Sequence, residues 1–180
     1  MVFAATMWCA SVAHAARIEG VEFAPQLEWR GEQLRLNGTG LLRYKILIKG
    51  YVAALYLGER VSPDRVLDDV PRRLEIEYFW SIPADAFARA TIEGIRRNVT
   101  PEALERLRGS IEQLNMLYED VEPGDRYAIT YVPGIGTELA YNGEPLGIVP
   151  GAEFSAALFA IWLGDEALDA PLREQLLAAR

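Results

Sequence analysis

The sequence is nearly empty of the two side chains on which much enzyme chemistry rests. Its 180 residues hold one cysteine and one histidine, Cys9 and His14, both close to the N-terminus. Positive charge is also scarce: 26 acids against 18 bases leave a net charge of −8. A nucleic-acid binder needs a basic face, so no nucleic-acid partner is expected. Ten prolines and fifteen glycines are ordinary for this length, which excludes a collagen-like repeat or a low-complexity disordered chain. What is there is 51% hydrophobic, 24% charged and 10% aromatic, the composition of one globular domain of ordinary size.

Residues 2–13 (VFAATMWCASVA) carry no charge and have the apolar length of the central region of an export signal. Ala13 and Ala15 supply the A-x-A pattern of small residues, so cleavage is expected after Ala15. The segment falls short of the ~20 apolar residues that span a bilayer. No Lys or Arg precedes it, and Cys9 follows the bulky Trp8, which does not suit a lipid-anchoring signal. The expected organisation is therefore a signal peptide, 1–15, and a single domain, 16–180, in the periplasm or secreted, with no transmembrane segment in the mature chain. A mature chain without Cys or His has no thiol nucleophile, disulfide, Ser–His–Asp relay or imidazole metal ligand. Any chemistry must come from Arg, Lys, Tyr, Ser, Thr, Asn and carboxylates.

Residues 18–58 are rich in β-formers and contain no helix of normal length. Leu34 and Leu36 alternate with Gln33 and Arg35. Leu42, Tyr44, Ile46 and Ile48 share one parity; Arg43, Lys45, Leu47 and Lys49 share the other, which reads as a strand with one apolar and one largely basic face. Tyr51–Leu57 is apolar on both faces, as a central strand would be. Ser62-Pro63-Asp64 predicts a short helix to about Asp69, and Arg73–Phe79 another alternating strand. Helices are expected from Pro83 to about Asn98 and again after the Thr100-Pro101 start signal, where Leu104, Leu107, Ile111, Leu114 and Tyr118 form an apolar stripe. Tyr127, Ile129 and Tyr131 return to a period of two. Asn142-Gly143 marks a hairpin, Pro150–Leu163 a buried helix ending at Gly164, and Pro171 opens a last helix. Segregated strands and helices point to an α+β domain, with helices laid on one face of a mostly antiparallel sheet.

Asn37-Gly38-Thr39-Gly40 and Pro133-Gly134-Ile135-Gly136 are glycine-rich, but neither fits a phosphate or dinucleotide cradle, and turns are the expected reading. No cofactor motif is present. The pairs Asp68-Asp69 and Glu119-Asp120 read as solvated helix ends, and Trp80, Tyr127, Tyr131 and Trp162 as core. Arg43 stands out because it lies within an apolar β-region, where a guanidinium suits a bidentate carboxylate or enolate. The competing reading is a solvated outer face shared with Lys45 and Lys49. Tyr51 has the same parity, but eight residues of straight strand span ~26 Å. The pair can share one ligand only if the chain turns between Tyr44 and Gly50.

Gly38-Thr39-Gly40, then Arg43, then Lys49–Leu57 (KGYVAALYL) resemble the signature of the chalcone isomerase-like superfamily, in its bacterial exported branch. Gly147–Leu177 adds to the likeness with a Pro-Gly-x-x-Phe helix running into Ile161-Trp162-Leu163-Gly164. The resemblance spans about Ile18 to Leu177. It implies an open-faced β-sandwich, a large antiparallel sheet with helices on one face and a ligand cleft between them. Plant members either cyclise chalcones or bind fatty acids. The family's carboxylate-binding Arg falls on Arg43, and the next site position, Tyr in the fatty-acid binders, falls on Tyr51. The isomerase's helical Tyr falls on Phe87 and its Asn on Gly94, a pair with no side-chain hydrogen bond to offer. That departure implies a binding protein for a fatty acid or similar amphipathic carboxylate, with Arg43 and Tyr51 at the head and Phe87, Gly94 and Phe154 along the tail. The alternative is an intramolecular lyase using Arg43 to stabilise an oxyanion; a third is a partner-binding domain with a vestigial cleft.

Overall fold

The computed structural model describes residues 15–44 and 48–178. Nearly all of the expected export signal, and Lys45, Ile46 and Leu47, lie outside the described residues. The alternating segments assemble as β3 (Gln26–Trp29), β4 (Glu32–Tyr44), β5 (Ile48–Gly58), β6 (Arg72–Tyr78), β7 (Arg126–Val132), β8 (Gly136–Tyr141) and β9 (Glu144–Val149), after a separate hairpin of β1 (Ala16–Ile18) and β2 (Val21–Phe23). The seven later strands form one sheet in the order β3-β4-β5-β6-β7-β8-β9, every pair antiparallel. Helices α1 (Ala84–Asn98) and α2 (Pro101–Asn115) fill the β6–β7 connection; α3 (Ala152–Leu163) and α4 (Ala170–Leu177) follow β9.

Local chemistry explains most boundaries. Thr100 caps α2 by accepting from the Ala103 N–H at 3.3 Å, with Pro101 in the first turn. Asp169 caps α4 through Leu172 N at 2.8 Å. Asn142 (φ 49°) and Gly143 (φ 89°) are both left-handed, as a two-residue turn matching the sheet twist requires. Two expectations change. Ser62-Pro63-Asp64 opens only a 3₁₀ turn, Pro63–Arg65, because the Ser62 hydroxyl bonds Asp64 instead of capping a backbone N–H. Asn37–Gly40 is the middle of β4, not a turn.

The sheet divides the interior in two. One face, with Leu55, Leu74, Ile76, Ile129 and Leu139, packs against the helices in the main core. The other, with Val52, Ala54 and Tyr56, is covered by Val21, Phe23 and Leu34. Helix α3 is apolar all round because it is buried on nearly every side, Phe154, Leu158, Phe159 and Ile161 among its buried residues. Gly38 and Gly40 explain how α4 docks. A Cβ on Gly38 would lie 2.4 Å from the Gln175 and Leu176 carbonyl oxygens, and one on Gly40 2.6 Å from Leu172 Cδ1. The glycines let a helix lie directly on the strand.

Candidate functional site

Between the helix-facing side of the sheet and helices α1 and α3 lies a cavity of about 490 Å³, within the ~300–1,000 Å³ range of small-ligand sites. Strands bring Leu42, Tyr51, Tyr78, Tyr127 and Ile129 to it; α1 contributes Phe87, Thr91 and Gly94, and α3 contributes Ile161 and Trp162. Its wall is a chain of rings. Tyr78 meets Tyr51 edge-on at 5.7 Å between centroids and Phe87 at 5.3 Å, and Phe87 stacks on Tyr118 at 5.4 Å.

The polar atoms in this wall are few and mostly phenolic. Trp162 Nε1 donates to the Tyr51 hydroxyl at 2.9 Å, which leaves the Tyr51 proton free for a ligand. Thr91 Oγ1 and the Tyr118 hydroxyl share a bond of 2.8 Å. The Tyr78 hydroxyl bonds none of the described residues. Burial pushes the phenols of Tyr51, Tyr78 and Tyr118 well above the usual range, and that of Tyr127 up to about 12. All four are neutral hydrogen-bonding groups at neutral pH. Charge stays at the rim, on Glu93, Arg97 and Glu166; Arg97 Nε lies 3.3 Å from Glu93. Among the described residues no three acids are grouped so as to hold a metal ion.

Of the five residues expected to bind ligand, Tyr51, Phe87 and Gly94 line this cavity, while Arg43 and Phe154 do not. Phe154 is fully buried in the main core. Arg43 is about half exposed, on the opposite side of the sheet, 3.7 Å from Glu19, which also pairs with Lys49. The cause is a bulge. Leu42 faces Tyr51 across the β4–β5 pair, but Arg43 faces Lys49, so Gly50 is an extra residue without a partner. It shifts the parity of β5, and Arg43 and Tyr51 end on different faces. Gly94 does not widen the cavity as expected. A Cβ there would lie 2.8 Å from Ile161 Cγ1 and 2.9 Å from Cγ2, so Ile161 fills the space and α1 and α3 pack closely. Trp80, expected in the core, is 57% exposed at the cavity rim.

Tyr78, Thr91, Tyr118, Trp162 and Arg97 are site residues that sequence reasoning missed. Tyr78 shares the parity of Leu74 and Ile76, and Tyr118 extends the stripe of α2, so each was visible as an inward-facing residue. Their convergence depends on how α1 and α2 lie across the strands.

An apolar cavity between helices and one side of an antiparallel meander defines an open-faced α+β fold of the chalcone isomerase type. The chain belongs to the chalcone isomerase-like family, whose sequence profile matches residues 15–178. Among solved structures, a fatty-acid binding protein of Arabidopsis thaliana has the same fold. Its TM-score is 0.70, covering 91% of this chain and 96% of that one, at 16% identity. No curated protein matches the chain.

Proposed function

We propose that this protein is a non-catalytic member of its family that binds a fatty acid or similar amphipathic carboxylate, and that it does so in the periplasm after removal of residues 1–15. The observation that carries the reading is the cavity itself, about 490 Å³, walled by rings and aliphatic side chains, with the Tyr78 hydroxyl and the Tyr51 proton available to a ligand and its charges confined to the rim. An ionised carboxylate is costly to bury without a counter-charge. The head therefore belongs at the rim, paired with Arg97 and accepting the free Tyr51 proton, and the tail among Tyr78, Phe87, Tyr118 and Tyr127. The fold shared with a plant fatty-acid binding protein supports this reading. An isomerase would need a cation aimed at an oxyanion inside the cavity, and Arg43 faces away from it.

The test is titration of the purified protein with a long-chain fatty acid, followed by native mass spectrometry. One equivalent is expected to bind. Arg97→Ala should weaken binding roughly tenfold, the scale of one charge-assisted hydrogen bond, while Arg43→Ala leaves it unchanged. Loss of binding in Arg43→Ala with Arg97→Ala unaffected would move the head group to the β4–β5 hairpin. For the location, protein expressed in a bacterial host is expected in the periplasmic fraction with Ala16 as its first residue; retention of residues 1–15 in the cytoplasm would refute it.

A further inference from the structure

The phenols of the cavity wall differ in what their hydroxyls do. Tyr127 is satisfied twice by the backbone of Glu119, accepting from its N–H at 2.7 Å and donating to its carbonyl at 2.8 Å. Tyr118 and Thr91 bond each other, and the Tyr51 oxygen accepts from Trp162. Tyr78 is the wall phenol whose hydroxyl bonds none of the described residues. It is also within reach of a ligand. The Tyr56 hydroxyl is sealed inside the protein without a partner, whereas that of Tyr78 is not sealed, and Tyr78 lines the cavity. Where the wall needs only a ring it has one without a hydroxyl: Phe87 packs edge-on against Tyr78 at 5.3 Å. A saturated tail laid against Tyr78 would shut its hydroxyl from water and return no bond, which costs affinity. Burial keeps that phenol protonated at neutral pH, so it meets the ligand as a neutral group with a proton to donate.

We propose that the tail of the ligand carries a keto oxygen that accepts the Tyr78 proton, so that the preferred ligand is an oxo fatty acid and not a saturated one. The inference rests on the amphipathic-carboxylate reading above and names the ligand within it. The position of the keto group follows from the strands. Tyr78 is the cross-strand partner of Tyr51 in the β5–β6 pair, and their ring centroids lie 5.7 Å apart. With the carboxylate at Tyr51, an oxygen at Tyr78 falls in the half of the chain nearer the head. Tyr78 is then the residue that selects among acyl chains, while Tyr51 and Arg97 hold the head that all of them share.

Calorimetric titration with palmitate and with two oxopalmitates tests this on the wild type alone, one with its keto group near the carboxylate and one near the methyl end. The first oxopalmitate is expected to bind roughly fivefold tighter than palmitate, the scale of one neutral hydrogen bond, and the second no tighter. Tyr78→Phe keeps the ring and removes the hydroxyl, and the affinities should then cross. Palmitate binds the variant tighter than the wild type, and the first oxopalmitate binds it more weakly, because its carbonyl is now the group left unpaired. Lost packing alone would move both in one direction. Equal wild-type affinities for palmitate and the first oxopalmitate, or the same gain from either keto position, overturns the proposal. So does a Tyr78→Phe variant that weakens both acids alike, which would put Tyr78 at the head group. In each of those results palmitate still binds and the reading of the cavity stands; failure of all three acids to bind overturns that reading as well.

Discussion

Tyr51 has an oxygen committed on one side and a proton free on the other, because Trp162 donates to it and no described residue accepts from it. Tyr51→Phe keeps the ring and removes both. We expect fatty-acid affinity to fall about fivefold, near the ~1 kcal/mol of a neutral hydrogen bond, with the protein still folded; unchanged affinity in a fluorescence titration would take Tyr51 out of the site. Gly94 and Gly109 form a second pair of predictions. In an open helix position Gly→Ala stabilises by up to ~1 kcal/mol, and a Cβ on Gly109 meets nothing within 4 Å. On Gly94 it meets both γ-carbons of Ile161, so no single rotation clears it. Overpacking of ~1–3 kcal/mol outweighs the propensity gain. Thermal melts should show Gly109→Ala raised and Gly94→Ala lowered, each by a few degrees; a rise in both would mean that α1 and α3 separate freely.

At the scale of elements, α4 rests on two glycines of β4, and Asn37 Nδ2 donates to the Leu176 carbonyl at 2.7 Å to hold it there. A Cβ on Gly38 would strike backbone oxygens, which cannot swing aside. Gly38→Ala is expected to cost about 3 kcal/mol and to release the C-terminal helix; limited proteolysis after β9 reads this directly, and protection equal to the wild type would contradict it. This glycine pair shows where sequence reasoning stopped. The alternation of β6 and β7, the Thr100-Pro101 helix start and the Asn142-Gly143 turn depend on near neighbours and were legible. Gly38 and Gly40 looked like a turn because their reason lies in a helix more than 130 residues away. The Gly50 bulge was harder still. It is a property of the pairing with β4, and one extra residue reverses which face every later side chain takes. The family resemblance placed Arg43 with Tyr51 at one head group, and the strand pairing parts them. The fold class was readable from period and order; of the expected site, Tyr51, Phe87 and Gly94 reach the cavity, while Arg43 and Phe154 do not.

As a whole, the molecule presents an apolar cavity on one side of its sheet and a polar belt on the other, where Arg73 bonds Glu75 and Thr130 and Arg126 bonds Glu75 and Glu77. The phenols of the cavity wall set its response to alkali. Burial holds them neutral in the folded state, Tyr127 up to about 12, while in the unfolded chain they ionise near 10. Their folded values are raised, so the stability they contribute is fully present below pH 10 and is lost as the pH rises from 10 through 12. Melting temperature should therefore be flat from pH 7 to 9 and fall steeply above 10; a flat profile to 12 would mean that the rings are solvated.

The central claim is that the cavity under α1, and no other surface, holds the ligand. Ala90 lines the cavity from an exposed position, so Ala90→Trp can plug the rim without disturbing the core. Calorimetric titration of palmitate into the wild type and this variant, both checked for equal melting temperature, tests the claim most directly. We predict one binding site in the wild type and none measurable in Ala90→Trp. Equal binding by both, or none by the wild type, would contradict it.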